Sequence, residues 1–146
     1  PYKEVTVNAF GADNIVIEEN NFSNANMSAI YVSDSHSNRK DSTVNAVIKN
    51  NTVSNTGKDA IGIYGNIYNA IIEGNKVSNS GEYGIMLSCL TDGNPVRVDA
   101  ETEGPHNIIV RNNEVTGSHD CAMYCLGTYK VYITGNTLHD SKVLGV

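Results

Sequence analysis

The chain has 146 residues, with 16 Asp+Glu against 10 Lys+Arg and a formal net charge of −6. That length suits one domain, and a net acidic chain without a basic run excludes an electrostatic nucleic-acid binder. Charged residues are only 18% and hydrophobic residues 40%, which excludes an acidic disordered tail, and no run approaches the about 18 apolar residues that would cross a membrane. The composition is unusual in its 20 Asn and 13 Gly, with no Trp and three Pro. Asn and Gly tolerate left-handed backbone, so the chain is expected to be all-β, made of many short strands joined by tight turns.

Taken in chain order, Val5-Thr6-Val7 reads as the end of a strand. A phrase then begins at Asn14, NIVIEENNF, and returns as NAVIKNNTV from Asn45, NAIIEGNKV from Asn69, NIIVRNNEV from Asn107 and KVYITGNTL from Lys130. Its seventh residues are Asn20, Asn51, Asn75, Asn113 and Asn136. Three residues earlier stand Ile17, Ile48, Ile72, Val110 and Ile133; two residues later stand Phe22, Val53, Val77, Val115 and Leu138. Nine residues later comes a small residue (Ala29, Ala60, Gly84, Ala122, Gly145), followed each time by an apolar one (Ile30, Ile61, Ile85, Met123, Val146). The apolar period is two, so each unit consists of two or three strands. Such a unit cannot bury its apolar face alone, and stacked units make a tube with a continuous core.

The aligned asparagines share the parity of the inward Ile and Val residues and are expected to form an internal amide ladder, because buried amides must find partners. Outside, one column is apolar (Val16, Val47, Ile71, Ile109, Tyr132) and its neighbour mostly charged (Glu18, Lys49, Glu73, Arg111, Thr134). His119-Asp120-Cys121-x-x-x-Cys125 lacks the ligand pattern of structural zinc. No metal site is expected there, and Cys89 and Cys125 are read as small core residues.

Two insertions, 33–44 and 88–106, follow the second apolar strand of their units. Insertions on one edge of a solenoid are often its binding side. They could wall a groove floored by the outward residues Tyr31, Tyr64, Met86, Ser88 and Tyr124, where tyrosines suit sugar rings. Candidate catalytic residues are Asp34, His36, Arg39, Arg97, Asp99 and His106. Arg39, Lys40 or Arg97 could neutralise a uronate carboxylate while His36, His106 or a tyrosine acts as base; alternatively Asp34 with Asp99, Glu101 or Glu103 could supply two carboxylates for hydrolysis. The acidic 99–103 stretch could also provide oxygen ligands for calcium.

The N-[IA]-[VI]-[IV]-x-x-N-x-[VFL] phrase and its [AG]-I-x-[VIL] partner resemble the right-handed parallel β-helix repeat family over essentially the whole chain. That resemblance implies a solenoid of about five to six coils spanning 1–146. It also implies polysaccharide lyases, glycoside hydrolases or C5-epimerases as the activity class, with a polysaccharide or glycan as partner. The YG-x-DPH arrangement of mannuronan C5-epimerases and the paired-Asp and GHG pattern of polygalacturonase-like hydrolases are absent. The leading expectation is therefore a secreted, cell-surface or periplasmic segment that binds or processes an extracellular polysaccharide. The alternative is a non-enzymatic surface or adhesion module that uses the solenoid as a rigid rod. Strand-like sequence at both chain ends leads to the expectation of further coils from a longer parent or another chain.

Overall fold

The computed structural model describes residues 6–34, 45–89 and 104–143. The first strand, β1 (Val7–Phe10), is followed by a triplet, β2 (Ile15–Glu18), β3 (Asn21–Ser23) and β4 (Ile30–Ser33). The triplet recurs as β5 (Ala46–Lys49), β6 (Thr52–Thr56) and β7 (Ile61–Tyr64), then as β8 (Ala70–Glu73), β9 (Lys76–Ser80) and β10 (Ile85–Ser88). The last strands are β11 (His106–Arg111), β12 (Glu114–Thr116), β13 (Met123–Leu126), β14 (Tyr129–Thr134) and β15 (Thr137–His139). Equivalent strands pair in parallel to form three five-stranded sheets. Sheet 1 is β2-β5-β8-β11-β14, sheet 2 is β3-β6-β9-β12-β15 and sheet 3 is β1-β4-β7-β10-β13. The expected all-β parallel helix is the observed fold.

The repeated phrase therefore supplies two sheets, and the residue before each ladder asparagine divides them. Glu19, Asn50, Gly74, Asn112 and Gly135 all have φ between 53° and 65°. Two further corners are left-handed as well: Asn14, Asn69, Asn107 and Lys130 enter sheet 1, and Asn24, Asn55, Asn79, Gly117 and Asp140 leave sheet 2. Left-handed backbone is costly for most side chains and least so for Gly, Asn and Asp. Corner geometry thus explains much of the Asn content.

The inward positions stack in register. Ile17, Ile48, Ile72 and Val110 are buried, as are Val53, Val77, Val115, Ile30, Ile61, Ile85 and Met123. The asparagine ladder runs beside them. Asn20, Asn51, Asn75 and Asn113 each donate Nδ2 to Oδ1 of the next asparagine, at 2.9 to 3.1 Å. The same Oδ1 atoms accept the backbone N–H of the preceding ladder residue. The second Nδ2 hydrogen of Asn51, Asn75, Asn113 and Asn136 goes to the carbonyls of Ile17, Ile48, Ile72 and Val110. Each interior amide thus uses both donors and both acceptor lone pairs, which is what burial demands.

The reading of Cys89 and Cys125 as core residues is corrected: Cys89 is half-buried, Cys125 is exposed, and Cys121 is the buried thiol. Cys125 has the inward register of Leu87, but it lies on β13, the last strand of sheet 3, where no further described strand covers it. Inward parity alone does not decide burial on an end strand: Met123, on the same strand, is fully buried while Cys125 is open.

Candidate functional site

The outer face of sheet 3 is built from two register rows. One row is Tyr31↔Gly62↔Met86↔Tyr124, and the next is Ser33↔Tyr64↔Ser88↔Leu126. Tyr31 and Tyr64 therefore lie in different rows, yet their rings stack at 4.7 Å with an interplanar angle of 22°. Gly62 makes this contact available. A Cβ there would stand 2.3 Å from Tyr64 Cε2, so the Tyr64 ring folds back over Gly62 and takes the vacant place in the tyrosine row.

On the other side of Met86, Tyr83 stacks on Tyr124 at 5.0 Å and 17°. Met86 is nearly buried at 8% exposure. The result is a strip of four tyrosines around one methionine, running along the solenoid axis across β4, β7, β10 and β13. The facing surfaces of each tyrosine pair cover one another, so a ligand meets hydroxyls, ring edges and the flanking ring faces.

Asp59 anchors the strip. The residue is 3% exposed. Tyr64 donates its hydroxyl to Asp59 Oδ2, and the backbone N–H of Tyr83 donates to Oδ1 at 3.2 Å. One carboxylate thereby ties the two tyrosine pairs together. Burial pushes the Asp59 carboxyl above its usual range, against the opposing effect of the two hydrogen bonds. Burial and the adjacent Asp59 charge push the Tyr64 phenol up. At the rim, Lys58 pairs with Glu82 at 3.6 Å. A carboxyl that holds its proton above the ordinary range can act as a general acid.

Of the expected site residues, Tyr31, Tyr64 and Tyr124 come together in the strip. Ser88 has the outward register but is fully buried, so its hydroxyl is not offered to solvent. Asp34 is buried at the end of β4, where its N–H donates to the Tyr64 carbonyl at 3.2 Å. His106 lies elsewhere, at the corner entering sheet 1. Its ring stacks on Tyr68 at 4.9 Å, it pairs in register with Tyr129, and Nδ1 donates to the Gly104 carbonyl at 2.8 Å. His36, Arg39, Lys40, Arg97, Asp99, Glu101 and Glu103 lie outside the described residues, as does the proposed calcium stretch. No cluster of three potential metal ligands occurs among the described residues.

Asp59 and Tyr83 were not singled out from the sequence. Their signal is present in the alignment: both precede the small residue of their units, Ala60 and Gly84, in a column that also contains Ser28 and Cys121. That column borders the outer face of sheet 3.

Residues 5–146 match the family model described as a right handed beta helix region. The match covers nearly the whole chain, and the protein belongs to that family. Comparison with curated proteins yields no match, and comparison with solved structures yields none either. Membership establishes the fold, which hosts many chemistries.

Proposed function

We propose that this right-handed β-helix binds an extracellular polysaccharide along the outer face of sheet 3, as a secreted, cell-surface or periplasmic segment. The observation that carries the reading is the strip of Tyr31, Tyr64, Met86, Tyr83 and Tyr124, with Asp59 beneath it. Apolar ring surface bordered by hydroxyls suits the apolar faces and equatorial hydroxyls of pyranose rings. The strip lies parallel to the solenoid axis, so a linear chain could lie across several coils.

If the site also processes its ligand, the Asp59–Tyr64 pair is the proton-carrying group within the strip, and calcium is an optional partner for an acidic chain. The test is calorimetric titration with acidic and neutral polysaccharides, with and without calcium, alongside product analysis for cleavage or unsaturation. Binding that Tyr31→Ala and Tyr124→Ala each weaken is expected. Absence of binding by every class of glycan overturns the reading and favours the rigid-scaffold alternative, which the saturated asparagine ladder supports.

A further inference from the structure

The outer face of sheet 1 carries two straight columns in register. The charged one reads Glu18↔Lys49↔Glu73↔Arg111↔Thr134, and beside it run Val16↔Val47↔Ile71↔Ile109↔Tyr132. Val16 and Tyr132 are 61% and 63% exposed. On the corner side of the apolar column stand Asn14, Asn45, Asn69 and Asn107, exposed and linked in part by amide hydrogen bonds. The charges are held along the column. Arg111 Nη2 lies 3.1 Å from Glu73 Oε2, and Lys49 Nζ lies 4.0 Å from the same oxygen.

The signs along the charged column are −, +, −, +. Read backwards, they are +, −, +, −. A second copy placed face to face by a two-fold axis parallel to the strands keeps each column opposite itself and reverses the coil order. With the axis between β5 and β8, Glu18 meets the partner's Arg111 and Lys49 meets the partner's Glu73. Val16 and Val47 then meet the partner's Ile109 and the partner's Ile71. Every contact is complementary, as an isologous interface requires. A two-fold axis along the solenoid through the apolar column would set the charged column against the partner's asparagine column, leaving the charges without opposite partners. A register centred on β8 would set Glu73 against itself and Lys49 against Arg111. Among face-to-face registers, the one with the axis between β5 and β8 pairs opposite charges over the most coils.

We propose that the outer face of sheet 1 is a self-association surface that takes a second copy of this chain with its coils in reverse order. Four strands about 4.8 Å apart and three outward positions about 6.7 Å apart give a contact of about 400 Å² per partner. Stable interfaces bury about 800 Å² per partner, so the dimer is weak and, being held by rim charge, salt-sensitive.

Sedimentation velocity of the chain up to millimolar concentration, at low and high salt, tests the dimer. Charge swaps test its geometry. Lys49→Glu and Glu73→Lys each place two like-charge contacts in the homodimer, because the two-fold axis repeats each one, and each should weaken association about tenfold. An equimolar mixture of the two variants restores opposite signs at all four contacts, and so does the Lys49→Glu/Glu73→Lys double variant within one chain. Both should dimerise like the unaltered chain, with circular dichroism confirming that every variant is folded. A chain that stays monomeric at every concentration overturns the proposal. So do single variants that associate undiminished, or a mixture that fails to recover.

Discussion

The Tyr64 ring occupies the space that a side chain on Gly62 would fill, with Cε2 2.3 Å from the place of the missing Cβ. The preceding coil contributes Tyr31, whose ring packs on Tyr64. A glycine in one strand thus determines where an aromatic ring two residues later points. Gly62→Val should expel Tyr64, separate it from Tyr31 and Asp59, and cost about 1–3 kcal/mol of stability through overpacking. Urea denaturation and near-ultraviolet circular dichroism read the two effects. A variant with unchanged stability and tyrosine signal would show that the ring adapts freely.

The amide ladder predicts a positional gradient. Asn75→Ala removes the acceptor for both the side chain and the backbone N–H of Asn51, and takes the Nδ2 donor from Asn113 Oδ1 and from the Ile48 carbonyl, while the backbone N–H of residue 75 still reaches Asn113 Oδ1. Asn75 is fully buried, whereas Asn20 is exposed at the first coil. Each orphaned buried group costs about 1–3 kcal/mol. Asn75→Ala should therefore cost several times more than Asn20→Ala, by denaturation midpoint. Equal losses would contradict a cooperative, buried ladder.

Gly74 tests the left-handed corners. Its φ is +65°, and an added Cβ would stand 2.5 Å from Asn50 Oδ1. Gly74→Ala should cost at least the about 1–2 kcal/mol of a left-handed non-glycine residue, plus the clash. Asn112→Gly, at the equivalent corner with φ 55°, should be nearly neutral. Thermal melts of the two variants give the comparison.

Asp59 gives a pH signature. Burial raises its carboxyl above the ordinary 3.8. A raised folded-state value means that the folded protein binds this proton more tightly than the unfolded chain does. Its stabilising contribution is complete below about pH 3.8 and is lost as pH rises through the folded value. Asp59→Asn should flatten that part of the stability profile, so its stability relative to the unaltered chain should improve as pH rises from 4 to 7. Parallel profiles across that range would show that Asp59 titrates normally.

The sequence by itself carried the coil. Five copies of one phrase, aligned on Asn20 through Asn136, contain the inward register, the ladder and the outward columns, because a repeat stacked on itself turns sequence alignment directly into spatial alignment. The same alignment made Tyr31, Tyr64 and Tyr124 visible as outward residues. What it lacked was direction within a coil. Nothing in the period-two pattern says that Tyr64 leans back over Gly62 to reach Asp59, that Tyr83 crosses from a turn onto Tyr124, or that Ser88 is covered while Cys125 is open. Those outcomes depend on which neighbour leaves a vacancy and whether another coil lies above. Packing between coils alone decides them.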